Sequence, residues 1–396
     1  MRALLSKYAE KLERTGLAAP GSILFGGRDD SVEWVGDGPA RPLLEEAFER
    51  LAVCSLLLFR PSEPWSSMIG LLAGQGGGPI RPSDCESLTF LHEIPVAPSM
   101  DAVILAGLLG RRRSAIVPGP GIAAWGAVSP EQAFVSASSV CFACFVKFMA
   151  DYLDALEAGG RPPDPWRRVV EAVREGAGDF PCGAAGGMEL AAGPFRTESE
   201  VRAAIAEAGA RTVESGLVDS YFGNVSWLLD GVLYISQTAS SLDELPGAVD
   251  ACPLDGSSCA AITASSEYMA HVEALRVTGA DGILHGHPRF AVIASLACGR
   301  PSCPDRGSCH LRCPHGRHAG GVPIVSGEVG AGPSGLYRTL PRALLGCDAA
   351  IVHGHGLFAA ARGDFRGAFG AMSGIERACR AEYFERVDRA CMDARN

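Results

Sequence analysis

Two His-Gly-His triplets are the residues of this sequence whose types and spacing could do chemistry. They end the stretches Ile283–His287 and Ile351–His355, and each follows a short apolar run that is typical of a buried strand. Because alternate side chains of a strand share one face, His285 and His287 are predicted to point the same way. Two such imidazoles can hold Zn²⁺ or another divalent transition metal when further ligands arrive from elsewhere. The alternative is ordinary core or surface histidines, but four of the chain's nine histidines fall in these triplets.

Three polar residues before the first triplet suit an anion and a proton transfer. Ser265, Ser266 and Glu267 stand at the start of a predicted helix, Tyr268–Val277. Serine hydroxyls and the free N–H groups of a helix start can bind a phosphate, although a simple helix cap explains the serines as well. If this helix folds back on the strand before His285, the Glu267 carboxylate comes to lie beside the metal and can act as an acid or base.

Two further polar segments lie earlier in the same half of the chain. Gly223–Ser226 is predicted to form a tight turn that carries Asn224. Ile235–Ser241 is predicted to be a hydroxyl-rich loop that carries Thr238. Both segments offer uncharged donors, which can anchor a phosphate without a lysine.

The elements that must position these residues occur twice in the chain. Short apolar runs of the first half recur in the second half in the same order, and three of the pairs are Leu56–Ser62 with Gly282–Pro288, Ile94–Val96 with Val322–Ile324, and Ile116–Ile122 with Ile351–Leu357. This order predicts a duplication. The first copy lacks the histidines, because Phe59, Pro61, Pro118 and Pro120 stand in their places. We expect the first copy to be a degenerate, structural half.

The mixture of strands and helices in both copies predicts an α/β fold with two tandem domains. The first domain is predicted to span residues 1–155 and the second, metal-binding domain residues 198–396, with a linker at 156–197. The linker begins in the Gly- and Pro-rich stretch Gly159–Pro165. The sequence has neither a dinucleotide-binding fingerprint nor a P-loop.

Composition limits the partners and the compartment. The formal net charge of −10 over 396 residues argues against binding nucleic acid. The chain has no run of eighteen apolar residues and no signal-peptide pattern at its start, so we expect no membrane span. Without a signal, most of the fourteen cysteines are expected to be reduced thiols or metal ligands. We therefore expect a cytoplasmic protein that acts on a small-molecule substrate.

A cysteine-rich segment follows the first triplet. Cys298, Cys303, Cys309 and Cys313 lie within sixteen residues, with His310, His315 and His318 among or just after them. Four thiols so close together suit a second Zn²⁺ or an iron–sulfur cluster. Their spacing matches neither standard motif, so free thiols or a disulfide remain the alternative.

The ordered set Gly-Asn-x-Ser, Ser-Ser-Glu, His-x-His and His-Gly-Leu resembles the class II aldolase/adducin-head family over about Val201–Val387. The resemblance implies a central, mostly antiparallel sheet flanked by helices. It implies His285, His287 and His355 as metal ligands and Glu267 as the acid/base. The positions that match the family's phosphate-binding residues are Asn224, Thr238, Ser265 and Ser266. It also implies a homo-oligomer, and with the duplication a homodimer could imitate the family's four-subunit ring.

The function that the resemblance implies is a metal-dependent lyase of aldolase type. Such an enzyme would cleave a small phosphorylated or carboxylated hydroxy-carbonyl compound through an enediolate that the metal charge stabilises. The family's aldolases carry a tyrosine proton donor shortly after the His-x-His, and the cysteine-rich segment has no tyrosine. An epimerase, dehydratase or decarboxylase of the same family is therefore an alternative. Another alternative is an adducin-like module that only mediates association.

Overall fold

The computed structural model describes residues 1–119, 121–178, 190–219, 221–258, 260–300, 302–328 and 332–393. The chain divides into two compact units. The first unit is Met1–Tyr152 with Arg161–Pro181, and the second unit is Leu153–Gly160 with Cys182–Asn396. Residues 179–189 of the predicted linker lie outside the described residues. The helix Asp164–Arg174, which the sequence placed in that linker, is grouped with the first unit.

The first unit is built on a five-stranded antiparallel sheet. Its helices are α1 (Arg2–Arg14), α2 (Arg41–Glu49), α3 (Trp65–Ala73), α4 (Cys85–Leu91), α5 (Ala102–Leu109), α6 (Pro130–Glu157) and α7 (Asp164–Arg174), and its strands are β1 (Leu24–Arg28), β2 (Val32–Val35), β3 (Ser55–Phe59), β4 (Ser114–Val117) and β5 (Gly121–Gly126). Asp84 and Asp101 start α4 and α5 by accepting backbone N–H groups, which is the usual role of aspartate at a helix N-cap. Leucines of α2 and α5 pack with those of β3 in one apolar core.

The second unit is built on an eight-stranded sheet in the order β10-β11-β12-β13-β9-β6-β7-β8. Its helices are α8 (Glu198–Glu214), α9 (Tyr268–Thr278), α10 (Arg289–Leu296), α11 (Leu336–Gly346) and α12 (Arg366–Asp393), and its strands are β6 (Asn224–Leu229), β7 (Val232–Ser236), β8 (Val249–Pro253), β9 (Gly282–Gly286), β10 (Arg317–Ala319), β11 (Val322–Val325), β12 (Ala349–Val352) and β13 (Gly356–Ala361). Every pair of neighbours is antiparallel except β11 and β12. The expectation of an α/β protein with mostly antiparallel sheets flanked by helices is confirmed.

The core of the second unit places β9 in the middle of the sheet. Helices α9 and α11 pack against Ile283 of β9 and Phe358 of β13, both of which are fully buried. Burying a side chain of this size contributes about 1.5–3 kcal/mol. The histidines predicted to bind metal at the end of β9 are therefore carried by a strand that is firmly packed in the core of the unit.

Helix α6 is long and apolar enough to span a membrane by length and composition. However, 94% of its most apolar window is buried inside the protein. Such burial is typical of the core helix of a globular unit. Cys141 and Cys144 lie in this helix and are fully buried, and burial raises the pKa of the Cys144 thiol to about 12.

The two sheets share a strand order. The first sheet reads β2-β1-β3-β5-β4, and the second contains β7-β6-β9-β13-β12 in the same sequence of neighbours. An isolated parallel bridge between Val96 and Ile116 corresponds to the parallel pair of Ile324 with Ile351. This correspondence supports the duplication, which stays a prediction.

The register of the strands changes the predicted equivalences. Leu58 of β3 pairs with Leu24 and Ala123, whereas His285 of β9 pairs with Asn224 and Phe358. Leu58 of the first sheet is therefore equivalent to His285 of the second sheet, and Arg60 is equivalent to His287. Phe59 and Pro61, which the sequence comparison placed there, are each one residue too late. Pro118 remains equivalent to His353, as the sequence comparison predicted. Pro120 lies outside the described residues.

Candidate metal centre

Strand β9 brings the first two histidines together. His285 is its penultimate residue and His287 follows its end, so the period of two carries both imidazoles to one side. Their ring centroids are 4.8 Å apart. Both side chains are almost fully buried, with 1% and 2% of their surface exposed.

The second His-Gly-His is a turn between β12 and β13, not a strand end as predicted. Gly354 has a φ of +61°, which reverses the chain and sends the two histidines in different directions. His355 joins the first pair, with its ring centroid 5.1 Å from His285 and 5.4 Å from His287. His353 instead donates from Nδ1 to the carbonyl of Ser295 at 2.8 Å. Burial first, and then the charge of Arg317, lower the pKa of His353 to about 4.

The imidazole nitrogens that face each other have the right protonation for a metal. Nδ1 of His285 donates to the carbonyl of Leu357 at 3.0 Å, so Nε2 keeps its lone pair when the ring is neutral. Burial, reinforced by the two neighbouring imidazoles, lowers the pKa of His287 well below its ordinary value. Neutral histidines are the form that binds metal.

The spacing of these nitrogens also fits a metal ion. Nε2 of His285 lies 3.1 Å from Nε2 of His287. Two nitrogens that bind one tetrahedral Zn²⁺ at about 2.0–2.1 Å are separated by about 3.3 Å. The ligand atoms of His285, His287 and His355 all lie within 4.8 Å of one another. Elsewhere in the described part of the chain, no three His, Cys, Asp or Glu side chains are grouped in this way.

Glu267 lies against this cluster. It is the N-cap residue of α9, and its carboxylate lies 2.6 Å from Nε2 of His355 and 3.5 Å from Nε2 of His285. Burial acts to raise the pKa of this carboxyl, but the two histidines and the hydrogen bonds from His355 and Asn224 outweigh it and lower the pKa. The carboxylate is thus held in its ionised form.

Asn224 links the carboxylate to the sheet. It begins β6, where the sequence predicted a tight turn, and it pairs directly with His285 of β9. The turn is confined to Gly223, whose φ is +86°. Nδ2 of Asn224 donates to Glu267 Oε2 at 2.6 Å and to Ser265 Oγ at 3.0 Å. Asn224 is therefore hydrogen-bonded to the side chains of Glu267 and Ser265 and paired through its backbone with His285, which joins four predicted site residues.

Thr238 and Ser266 form a second, exposed pair next to this group. The hydroxyl of Thr238 accepts the backbone N–H of Ser266 at 3.0 Å. Ser265, directly before Ser266, is buried, and its hydroxyl accepts the N–H of Glu267 at 3.3 Å. The hydroxyl of Ser265 thus serves as a local cap, whereas Thr238 and Ser266 face solvent.

Two residues that the sequence argument missed, Phe358 and His271, support the cluster. Phe358 stacks on His285 with ring centroids 3.7 Å apart and an interplanar angle of 4°. His271, one helical turn after Glu267, shares a buried hydrogen bond of 2.7 Å with the hydroxyl of Ser226. Burial lowers the pKa of His271 to about 4. The spacing of Glu267 and His271 at i and i+4 was the one visible signal that both line the same helix face.

Glu376 of α12 is a further residue that sequence reasoning did not find. Its two carboxylate oxygens accept the backbone N–H groups of Phe290 and Ala291, each at 2.9 Å. These groups belong to the first turn of α10, which follows His287 by two residues. Glu376 therefore fixes the chain directly after the second histidine.

Among the described residues, the four cysteines of the cysteine-rich segment are not grouped as metal ligands, and a second metal site there stays a prediction. No three of Cys298, Cys303, Cys309 and Cys313 come together as a ligand group, although all four are described. Their positions are set by successive turns, within which the Cys309 and Cys313 thiols approach backbone carbonyls at 3.7 and 3.4 Å. In this structure the Cys309 and Cys313 thiols contact backbone carbonyls and are not grouped with the other cysteines around a common point.

Comparison with known proteins finds a family match in the second unit. The sequence pattern of the family described as "Class II Aldolase and Adducin N-terminal domain" matches residues 203–383. No curated protein matches the chain. One similar solved structure is L-fuculose-1-phosphate aldolase from Thermus thermophilus, at 25% identity and a TM-score of 0.39 over 48% of this chain and 97% of that one.

Two further solved structures are similar over a comparable share of the chain. One is YgbL from Klebsiella pneumoniae, which is described as "a putative aldolase/epimerase/decarboxylase". It is 23% identical with a TM-score of 0.36, over 47% of this chain and 90% of that one. A sugar-phosphate aldolase from Thermotoga maritima is 16% identical with a TM-score of 0.35, over 48% of this chain and 96% of that one. From the sequence match, residues 203–383 form a domain of the class II aldolase and adducin family.

Proposed function

We propose that the second unit is a zinc-dependent lyase of aldolase type. Its substrate class is a small phosphorylated or carboxylated hydroxy-carbonyl compound. The observation that carries the proposal is the buried cluster of three imidazole Nε2 atoms beside the carboxylate of Glu267. Three histidines leave a fourth zinc position for substrate, which is typical of catalytic rather than structural zinc sites.

His285, His287 and His355 would hold the metal in this enzyme. When bound, the metal supplies a positive charge that polarises the substrate carbonyl. The buried surroundings strengthen such an electrostatic effect, because water is excluded from the cluster. Phe358, stacked on His285, keeps that ring in its plane and excludes water from one side.

Glu267 is the acid/base of the proposed reaction. Its ionised carboxylate takes the proton of the substrate hydroxyl while the adjacent carbon–carbon bond breaks. The electron pair of that bond passes to the carbonyl-bearing fragment as an enediolate, and the other fragment leaves as an aldehyde. The enediolate is then protonated at carbon, which completes the cleavage. Asn224, which donates to Glu267 Oε2, holds the carboxylate in the orientation for this transfer.

Thr238 and Ser266 are proposed to bind the phosphate or carboxylate of the substrate. They are exposed, close together, and joined to Glu267 through Ser265. Hydroxyl and backbone N–H donors of this kind bind an anion without a formal positive charge. An anion bound there would place the carbonyl end of a short substrate towards the histidines.

The test is a screen of sugar phosphates and hydroxy acids with zinc-loaded protein, in parallel with Glu267→Gln. We expect a cleaved substrate, and we expect Glu267→Gln to keep its zinc while turnover falls by about 10²- to 10⁴-fold. Glu273→Gln, on the surface of the same helix, is the matched control and should be as active as the wild type. A Glu267→Gln variant with full turnover would remove this residue from the chemistry.

Epimerisation, dehydration or decarboxylation by the same residues is the second candidate function. The missing tyrosine in the cysteine-rich segment favours these branches, since aldol cleavage needs a second proton-transfer group beside Glu267. Analysis of the products separates them, because only aldol cleavage yields two carbonyl compounds. An association module without catalysis would show no turnover in the screen and no requirement for zinc.

A further inference from the structure

The first unit contains a cavity at the end of its central strands. The cavity has a volume of about 340 Å³, which lies in the range of small-molecule sites. Six of the residues that line it are Leu24, Leu58, Arg60, Met100, Val117 and Gly121. They come from β1, from the end of β3, from the β4–β5 connection and from the segment before α5.

This cavity occupies the place in the first sheet that the metal centre occupies in the second. Leu24 and Leu58 pair in the first sheet as Asn224 and His285 pair in the second. Val117 and Gly121 pair as Val352 and Gly356 do. Gly119, like Gly354, has a positive φ at the middle of the intervening turn. The framework around the site is therefore present in both units, although the metal ligands are present in one.

Arg60 gives the cavity of the first unit a chemistry of its own. It stands two residues beyond Leu58, in the place of His287. Its backbone is held on both sides, because its carbonyl accepts the N–H of Ala19 at 2.8 Å and its N–H donates to Ser22 Oγ at 3.2 Å. Within the residues that the structure describes, its guanidinium has no carboxylate partner. The side chain of Arg60 is exposed and belongs to a residue that lines the cavity. Its guanidinium N–H groups can therefore donate hydrogen bonds to a bound carboxylate or phosphate.

The remainder of the cavity is mostly apolar. Leu58 and Val117 are buried, and Met100 adds a flexible apolar side chain. The one acidic residue of the lining is Asp37, whose carboxylate accepts the N–H of Gly38 at 2.9 Å and lies 3.9 Å from Arg41. Its charge is thus partly compensated by its own neighbours. The lining combines one cationic group with an apolar wall.

We propose that this cavity binds a small organic anion, with its carboxylate or phosphate group on Arg60 and its apolar body against Leu58, Val117 and Met100. The first unit is then a ligand-binding domain and not only a structural half. This proposal does not depend on the function proposed for the second unit, because none of its residues belongs to that unit.

The test uses the full chain and two probes, phenyl phosphate and benzoate, whose binding is measured by calorimetry. Benzyl alcohol is the uncharged reference compound. In Arg60→Met, which removes the charge but keeps a flexible, unbranched side chain, we expect both anions to bind at least about tenfold more weakly. Arg60→Lys should retain part of the affinity, because it retains the charge. Arg81→Met changes an exposed arginine of the same unit outside the cavity lining and should bind like the wild type.

A fourth variant separates this cavity from the proposed anion site of the second unit. Thr238→Val removes a hydroxyl from that site and should leave the binding affected by Arg60 unchanged. The proposal is overturned if neither anion binds the wild type, or if Arg60→Met binds both as tightly as the wild type does. It is equally overturned if Arg81→Met or Thr238→Val causes the loss instead, since the anion then binds elsewhere.

Discussion

Oε1 of Glu267 lies 2.6 Å from Nε2 of His355, although the first residue caps a helix and the second ends a turn between two strands. The two are brought together because α9 packs against the sheet whose central strands flank that turn. A carboxylate this close to one imidazole, with a second imidazole at 3.5 Å, gathers three polar groups where water is excluded.

The three histidines should bind metal as a unit. We expect the purified protein to retain roughly one zinc ion per chain after dialysis, and His285→Ala or His355→Ala to reduce this to a small fraction. Removing one of three protein ligands removes much of the binding free energy. Metal content measured by mass spectrometry checks this. His318→Ala, an exposed histidine of the same unit, is the control and should keep the zinc. Equal zinc in all variants would place the metal elsewhere.

Gly356 should tolerate no side chain. A Cβ at this position would lie 2.5 Å from the carbonyl oxygen of Gly286 and 2.8 Å from Cε1 of His285. We expect Gly356→Ala to destabilise the protein by about 1–3 kcal/mol and to weaken zinc binding, because the strand and the ring must both shift. Urea unfolding and a zinc titration measure the two effects.

The matched control for this substitution is Gly370→Ala in α12. A Cβ there meets no atom within 4 Å, and alanine favours helix more than glycine by about 1 kcal/mol. This variant should therefore be as stable as the wild type or more so. If Gly356→Ala behaved in the same way, the close approach of β13 to the histidines would not be tight.

Glu376 should act on the metal centre from a distance. Glu376→Gln leaves one oxygen to accept the N–H groups of Phe290 and Ala291, and its amide group opposes the other donor. We expect a loss of about 1–3 kcal/mol in the free energy of unfolding and weaker zinc binding, because the chain after His287 is no longer fixed. Glu385→Gln, exposed on the same helix, should change the free energy of unfolding by less than about 0.5 kcal/mol. Identical zinc affinity in the two variants would refute the positioning role.

Asp84 should make the stability of the protein depend on pH. Burial raises the pKa of its carboxyl from 3.8 to about 6, so the folded protein binds this proton more tightly than the unfolded chain. The contribution is fully present below about pH 4 and is lost as pH rises through about 6. Asp84→Asn keeps a cap for α4 and lacks the buried charge. At pH 7 it should gain up to about 3 kcal/mol, less the cost of its unpaired amide.

Urea unfolding between pH 4 and pH 7.5 measures this gain. The gain should shrink as pH falls and vanish near pH 4, where Asp84 is protonated. Asp101 caps α5 in the same way but is exposed, so Asp101→Asn is the control and should show no such dependence on pH. A gain that is constant across this range would assign the effect to something other than the charge.

The first His-Gly-His was predictable because strand geometry is local. A period of two fixes the relative direction of His285 and His287 whatever packs around them. The second triplet was misread because an identical motif lies in a turn, where the positive φ of Gly354 separates His353 from His355. The apolar runs on both sides look alike, so the sequence offers no sign of this difference.

The equivalence of the two halves was off by one residue for a related reason. Leu56, Leu57 and Leu58 are identical, so they provide no landmark for aligning β3 with β9. Hydrogen-bonded register supplies the landmark, since each residue of β3 has a defined partner on β1 and β5. Glu376 was beyond sequence reasoning altogether, because its partners in α10 are distant in the chain and are backbone groups.

Strand β9 is hydrogen-bonded along both edges, to β6 and to β13. Ile283 and His285 share one face of this strand, so a slip of one residue against either neighbour would turn both side chains to the opposite face of the sheet. Correct folding and correct metal geometry are thus a single event for this unit. Variants that change which molecule it recognises should therefore be sought in the loops around Thr238 and Ser266, where the backbone can alter without disturbing that ladder.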